Sequence, residues 1–200
     1  MTAGYDAVDA RHRIGPYLVR RARPQDAAAY SRADAEFVSA TYADVMPPEF
    51  AEHQFADVRA ATVRNEARFA RDLAAEEAGA EPEHRTWIAL DSGRIVAIAI
   101  SSGLPQAWEA EIGAAPIAGL TRQLDHLYLD RSAWGTGLAS GLLELALPDR
   151  ADAYLWIVEG NDRAQRFYAR HGFLGDGRTY ACGPSWYHRV LYRMVRRAGE

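Results

Sequence analysis

One cysteine, Cys182, stands in the 200 residues. That excludes an intrachain disulfide and fits a reducing compartment. A lone cysteine is weak ground for a catalytic thiol, so Cys182 is read as structural. No stretch approaches the ~20 apolar residues of a membrane span. The opening Met1-Thr2-Ala3-Gly4-Tyr5-Asp6 lacks the basic and then apolar runs of a secretory signal. A cytoplasmic protein without a membrane partner is therefore expected. A basic surplus is missing too: 23 Lys and Arg face 27 Asp and Glu, for a net charge of -4, which gives no electrostatic case for a nucleic-acid partner. No metal site is assigned, and there is no internal repeat or low-complexity segment. What is present is 48% hydrophobic and 25% charged residues, the composition of a globular protein. One domain over 16–200 is expected, preceded by a loose arm at 1–15 where Asp, Arg, Ala and Gly mix without period.

Apolar periodicity orders the elements. Tyr17–Ala22 reads as a first strand stopped at Pro24, and a helix then runs through Ala27, Tyr30 and Ala33 to about Val38. Pro47 and Pro48 suit the first turn of another helix. Val58, Thr62, Phe69 and Leu73 make an apolar stripe whose opposite face is Arg and Glu. Thr86–Leu90 and Arg94–Ile100 flank Asp91-Ser92-Gly93 and read as a hairpin. Residues 101–120, with two prolines and three glycines, read as a long connection, either a lid over an acceptor or a plain loop, with order near Trp108–Ile112. Tyr154–Glu159 is a further strand. Ala164, Phe167, Tyr168 and His171 then mark a helix capped by Asn161 and stopped by Gly172. Short strands at Phe173-Leu174 and Arg189–Val195 close the chain.

The stretch from Leu124 to Leu143 carries the most chemistry. A strand containing Leu127, Tyr128 and Leu129 runs into Gly135 and Gly137, after which Leu138, Leu142 and Leu145 recur at helical spacing. A strand–glycine turn–helix unit aims free N–H groups and the positive end of a helix dipole at one place, which suits a phosphate. The same residues also suit a ligand-free tight turn. The spacing Gly135-x-Gly137-x-x-x-Gly141 fits a dinucleotide fold as well, but too little chain follows Glu159 for the further βαβ units such a fold needs.

Leu127-Tyr128-Leu129-Asp130-Arg131-Ser132-Ala133-Trp134-Gly135-Thr136-Gly137-Leu138-Ala139, followed by Asn161-Asp162-Arg163-Ala164-Gln165-Arg166-Phe167-Tyr168-Ala169-Arg170-His171-Gly172-Phe173, resembles the GNAT N-acetyltransferase family. The resemblance implies an α/β fold of the α+β type: a mixed, mostly antiparallel sheet with helices on both faces, splayed near Leu129 and Glu159. It implies acetyl-CoA as acyl donor. Backbone N–H groups from Trp134 through Gly135, Thr136, Gly137 and Leu138 to Ala139 would bind the pyrophosphate. Leu127, Tyr128 and Leu129 on one side, and Asn161, Ala164, Phe167 and Tyr168 on the other, would line the pantetheine arm. Two departures stand out. Ser132 replaces the usual Gln or Arg, and Trp134 a basic residue, so side-chain phosphate contacts are not carried over. Tyr168 would protonate the departing thiolate, which suits a phenol of pKa ~10 beside a thiol of pKa ~8.5. An N–H near Leu129 would stabilise the acyl oxygen.

A base must take a proton from the acceptor ammonium. Asp125 comes first, by strand parity with Gln123 and Thr121, a parity that a bulge would reverse. His126 and Glu159 follow. The implied reaction is direct transfer to a primary amine, expected to be a small molecule, in a ternary complex. A protein N-terminus or lysine acceptor, and a regulatory module that binds acetyl-CoA without turnover, stay open, as does a homodimer. Thr41–Phe50 resembles the entry to the second helix in relatives acting on small amines. Glu36, Asp44, Glu49, Glu109 and Glu111 are expected to attract a cationic acceptor.

Overall fold

The computed structural model describes residues 11–103 and 106–197. Eight strands form one sheet: β1 His12–Ile14, β2 Tyr17–Arg21, β3 His84–Asp91, β4 Arg94–Gly103, β5 Arg122–Leu129, β6 Ala153–Val158, β7 Leu174–Ala181 and β8 Val190–Arg196. Their order is β1-β2-β3-β4-β5-β6-β8-β7. Every neighbouring pair is antiparallel except β5 with β6. This is the mixed α/β architecture that the resemblance implies, and the rival dinucleotide fold, which needs a parallel sheet, is excluded. The six helices of the described residues are α1 Ala27–Tyr42, α2 Glu49–Ala56, α3 Val58–Glu77, α4 Ala107–Glu111, α5 Leu138–Ala146 and α6 Asp162–Arg170.

Burial explains the assignments. In β4 everything from Ile95 to Ser102 is buried, as expected of a central strand covered on both faces. One face packs on α1 and α3 through Tyr30, Phe37, Phe69, Ile88, Ile98 and Ile100. The other packs on α5 and α6 through Leu138, Leu142, Leu143, Leu155 and Tyr168. The β3–β4 turn has Ser92 at φ +50° and Gly93 at φ +86°, the conformation a tight hairpin requires. Short α4 lies within the long connection and packs on the same face as α1, over β6.

Three sequence expectations are corrected. The arm read through residue 15 contributes a strand: His12–Ile14 pairs with Tyr17–Val19, and Ile14 packs on the core beside α5. Residues 1–10 of that arm lie outside the described residues. The short strand read at Phe173-Leu174 is an eight-residue edge strand, with Phe173 just outside it. Finally, β5 carries a bulge. Ile100 pairs with His126 but Ser101 with Leu124, so Asp125 has no partner across the ladder. One extra residue reverses the parity beyond it. Leu124, Leu127 and Leu129 all pack toward α5, while Tyr128 packs toward α1.

Ile14 and α5 meet at Gly141, where a Cβ would collide with the Ile14 side chain. Gly141→Ala is expected to lower Tm although alanine gains ~1 kcal/mol of helix propensity. In an Ile14→Ala background the same substitution should raise Tm. A thermal double-mutant cycle measures the coupling, and additive effects would contradict the contact.

Candidate active site

The parallel pairing of β5 with β6 is confined to Gln123–Tyr154 and Leu124–Leu155. Beyond these residues the strands separate, and a cavity of about 610 Å³ occupies the gap. It is lined from the α5 side by Gly135, Gly137 and Ala139, from α6 by Asn161, Phe167 and Tyr168, and from the α1 side by Thr41, Tyr42 and Asp44. It therefore passes through the sheet from one face to the other.

The separation frees backbone donors. In the β4–β5 ladder Ala97 faces Leu129, and the Asp130 N–H reaches the Val96 carbonyl at 2.8 Å. That pattern makes Ala97–Leu129 a non-hydrogen-bonded pair, so the Leu129 N–H points away from β4. Leu127, two residues earlier, points its N–H the same way. Both aim into the space that β6 has left. Trp134 covers the neighbouring carbonyl, its Nε1–H donating to Leu129 O at 3.3 Å.

The glycine turn is built from local hydrogen bonds. Asp130 Oδ1 accepts from the Ser132 N–H at 2.8 Å and the Ser132 Oγ–H at 2.7 Å, and Arg94 Nη1 donates to Oδ2 at 3.0 Å. Those donors, Ser132 foremost, hold the Asp130 carboxyl down at about 2. Ser132 is thus a turn-former here. Thr136 Oγ1 donates to the Ala133 carbonyl at 2.7 Å. Gly135 (φ +75°) and Gly137 (φ +83°) follow the left-handed path that glycine alone takes cheaply. A Cβ on either would meet no protein atom, so the concavity before the α5 N-terminus is open. Basic groups are supplied nearby: Arg131, Arg163 and Arg170 line the cavity, and the Arg163 guanidinium lies 3.3 Å from the centre of the Trp134 ring. All 23 basic residues of the chain are arginine. An open glycine cradle, a helix N-terminus, three guanidiniums and two unpaired strand N–H groups fit the pyrophosphate and pantetheine of a coenzyme A thioester.

Of the residues expected from sequence to contact the coenzyme, Leu127, Tyr128, Leu129, Trp134, Gly135, Gly137, Ala139, Asn161, Ala164, Phe167 and Tyr168 line the cavity. Two do not. The Leu138 side chain is fully buried against the sheet, leaving only its backbone for a ligand, and Thr136 is turned to Ala133. Asn161 caps α6, its Oδ1 accepting from the Ala164 N–H at 3.2 Å. Tyr168 is buried between Phe167 and Phe173, at ring distances of 5.1 and 5.8 Å. Burial raises its phenol above the ordinary value, with Tyr42 adding to the effect.

Asp125 lines the cavity on the α1 face. Its Oδ1 accepts from Ser102 Oγ at 2.9 Å and Gln123 Nε2 at 2.8 Å, while Oδ2 is buried without a hydrogen bond. Burial pushes this carboxyl above the usual range, against the lowering pull of Ser102 and His126. His126 faces Asp34 of α1, Nδ1 to Oδ1 at 3.2 Å, and Glu159 accepts from the Tyr192 hydroxyl at 2.8 Å; neither lines the cavity. Among the acidic residues expected to attract an acceptor, Asp44 lines it and Glu109 does not. Glu109 is buried, accepting from the Tyr154 hydroxyl at 2.7 and 2.6 Å and the Trp156 Nε1–H at 2.7 Å. Cys182 is buried, which pushes its thiol up to about 11. Sequence reading missed Tyr42, Trp156 and the three arginines. Arg131, Arg163 and Arg170 lie within the two motif stretches and Tyr42 within Thr41–Phe50, so their position was a usable signal, whereas Trp156 gives none without the fold.

Comparison with known proteins identifies the family. Residues 40–173 match the model of the acetyltransferase (GNAT) family. The chain belongs to the GNAT acetyltransferases. A probable N-acetyltransferase of Mycobacterium tuberculosis is 36% identical, aligned over 46% of this chain and 61% of its own length. An uncharacterized N-acetyltransferase of Mycobacterium bovis is 40% identical over 37% of this chain and 50% of its own. The chain thus spans half to three-fifths of the curated relatives it matches. The PaiA N-acetyltransferase of Thermoplasma acidophilum, solved with coenzyme A, superposes with a TM-score of 0.59 at 13% identity, over 90% of this chain and 98% of that one. A chain of the NatC complex bound to Gag peptide and coenzyme A gives 0.56 at 12%, over 92% and 99%. At such identities the superpositions bear on the fold alone. No helix among the described residues is long and apolar enough to cross a membrane.

Gly137→Ala puts a Cβ on a left-handed backbone at a cost of about 1 kcal/mol and into the cradle. Acetyl-CoA affinity, measured by calorimetry, is expected to fall at least about tenfold with the circular dichroism spectrum unchanged. Unaltered affinity would remove the cradle from the binding site.

Proposed function

We propose that the protein transfers the acetyl group of acetyl-CoA directly to a primary amine, both substrates being held at once in the cavity between β5 and β6. The observation that carries this reading is the continuity of that cavity. It joins a phosphate-suited glycine turn on one face to a carboxylate with a free oxygen, Asp125, on the other. Tyr168 lines the gap itself.

Holding two reactants in one passage replaces a bimolecular encounter with an oriented one. Asp125 takes the proton of the incoming ammonium. Burial raises its pKa, which makes it a better base than an exposed carboxylate. The neutral amine attacks the thioester carbon, forming the C–N bond as the C–S bond breaks. The Leu129 N–H is the donor nearest in kind to what the acyl oxygen needs as it gains charge, worth ~3 kcal/mol. Tyr168, kept protonated by burial, supplies a proton to the departing sulfur; the proton that the nitrogen sheds on becoming an amide restores the phenol, and the proton held by Asp125 passes to solvent. The buried Cys182, with a thiol raised to about 11, suits no acyl-enzyme route.

Tyr168→Phe is expected to keep acetyl-CoA binding and lose about 10²-fold in kcat. Asp125→Asn is expected to lose a similar factor and to abolish the acidic limb of the kcat/KM profile. That limb should lie above the ordinary Asp value in wild type, because only the ionised carboxylate accepts a proton. The sign for stability is opposite. A carboxyl whose folded pKa is raised stabilises the fold at pH below its unfolded value and loses that contribution as pH rises through the folded one. Asp125→Asn should therefore raise Tm at neutral pH. Full turnover in either variant, or an acetyl-Cys182 adduct by mass spectrometry, would refute the assigned roles.

A further inference from the structure

The acceptor half of the cavity has a chemistry of its own. Its walls on the α1 face include the rings of Tyr42, Tyr128 and Trp156 and the apolar side chain of Val45, with two carboxylates, Asp44 and Asp125. The cavity's arginines belong to the other half: Arg131 follows β5 into the glycine turn, and Arg163 and Arg170 are on α6.

The polar handle of Trp156 is already committed. The Trp156 indole N–H is held by the buried Glu109 carboxylate at 2.7 Å. The same carboxylate takes the hydroxyl of Tyr154. Trp156 is further fixed edge-on by Trp108 and Tyr180, at ring distances of 5.5 and 5.0 Å, and the Arg193 guanidinium sits 5.3 Å from its ring. Tyr42 is braced in turn by Trp186, at 5.3 Å. An acceptor entering this chamber therefore meets π surface and carboxylate oxygen, and finds the indole N–H already taken. Unpaired polar atoms on such an acceptor would be stripped of water without replacement. An ammonium is welcome twice over, by carboxylates and by aromatic faces.

We infer that the acceptor is a primary amine carried on an aromatic body, with Trp156, Tyr42 and Tyr128 as the specificity-determining walls and Asp44 as the outer guide for the cation. This rests on the acetyl-transfer reading above. Glu109 is a positioning residue: it touches no acceptor but fixes the plane of the indole that does.

The test compares kcat/KM at saturating acetyl-CoA for 2-phenylethylamine and tryptamine against ethanolamine, spermidine and a short peptide with a free N-terminus. Thiol release is followed, and acetyl-CoA affinity is measured separately by calorimetry. The aromatic amines should lead by at least tenfold. Trp156→Leu, which keeps an apolar wall but removes the ring, should cut that lead several-fold with acetyl-CoA affinity unchanged. Exposed Asp44→Asn should raise KM for the aromatic amines and spare kcat. A preference for the polyamine or the peptide, or no preference, overturns the inference, as does acetyl-CoA binding without turnover of either aromatic amine. Absence of acetyl-CoA binding overturns instead the transferase reading beneath it.

Discussion

Parallel strands β5 and β6 share two paired positions, Gln123–Tyr154 and Leu124–Leu155, and then part; every functional feature is a response to the polar backbone that parting exposes. Strand N–H groups without partners are costly in a dry interior. Here they border a cavity, so the cost is met by solvent or a bound molecule. The rest of the sheet absorbs the strain of keeping the two strands apart. On one side β4 pairs with β5 along its length, and on the other β8 pairs with all of β6. Each strand is held by its outer neighbour, and neither can close the gap by sliding.

The bulge at Asp125 is the second half of the same arrangement. A regular β5 would send residues 123, 125, 127 and 129 to one face. With the extra residue, Leu124, Leu127 and Leu129 serve the α5 core, while Asp125 keeps company with Ser102 and Gln123 on the α1 side. With strict alternation Asp125 would share the α5 face with Leu127 and Leu129. The offset solves the conflict in a single residue. Its energetic cost, a buried carboxylate oxygen without a donor, falls on the residue proposed above as the base.

The legible parts of the chain were those whose information is local. Gly135 and Gly137 announce a left-handed turn, Asn161 a cap, and Asp91-Ser92-Gly93 a hairpin, because each depends on two or three neighbouring residues. The fold class followed from motif resemblance and from the order of apolar runs. What escaped was set by partners far along the chain. The bulge exists only relative to β4, so nothing in Leu124-Asp125-His126 marks it. Tyr42 and Trp156 come together only when α1 and β6 are laid on one sheet face. Glu109 looked like surface charge until α4 folded it under two aromatic donors. Strand β7 was read as two residues because Gly175 and Gly177 interrupt it and its side chains are mostly exposed, which erases the alternation that marks a strand.

The arginines that gather at the glycine turn have a chemical consequence. A guanidinium stays protonated in any aqueous setting and holds phosphate oxygens through several donors, yet offers no lone pair to an acyl carbon. A lysine ammonium in the same place would be one deprotonation away from becoming a nucleophile beside an activated ester. With no lysine anywhere in these 200 residues, and with its one thiol buried and protonated, the chain is close to inert toward the reagent it is shaped to hold. A bound thioester meets neither a lysine amine nor a ready thiolate of this chain.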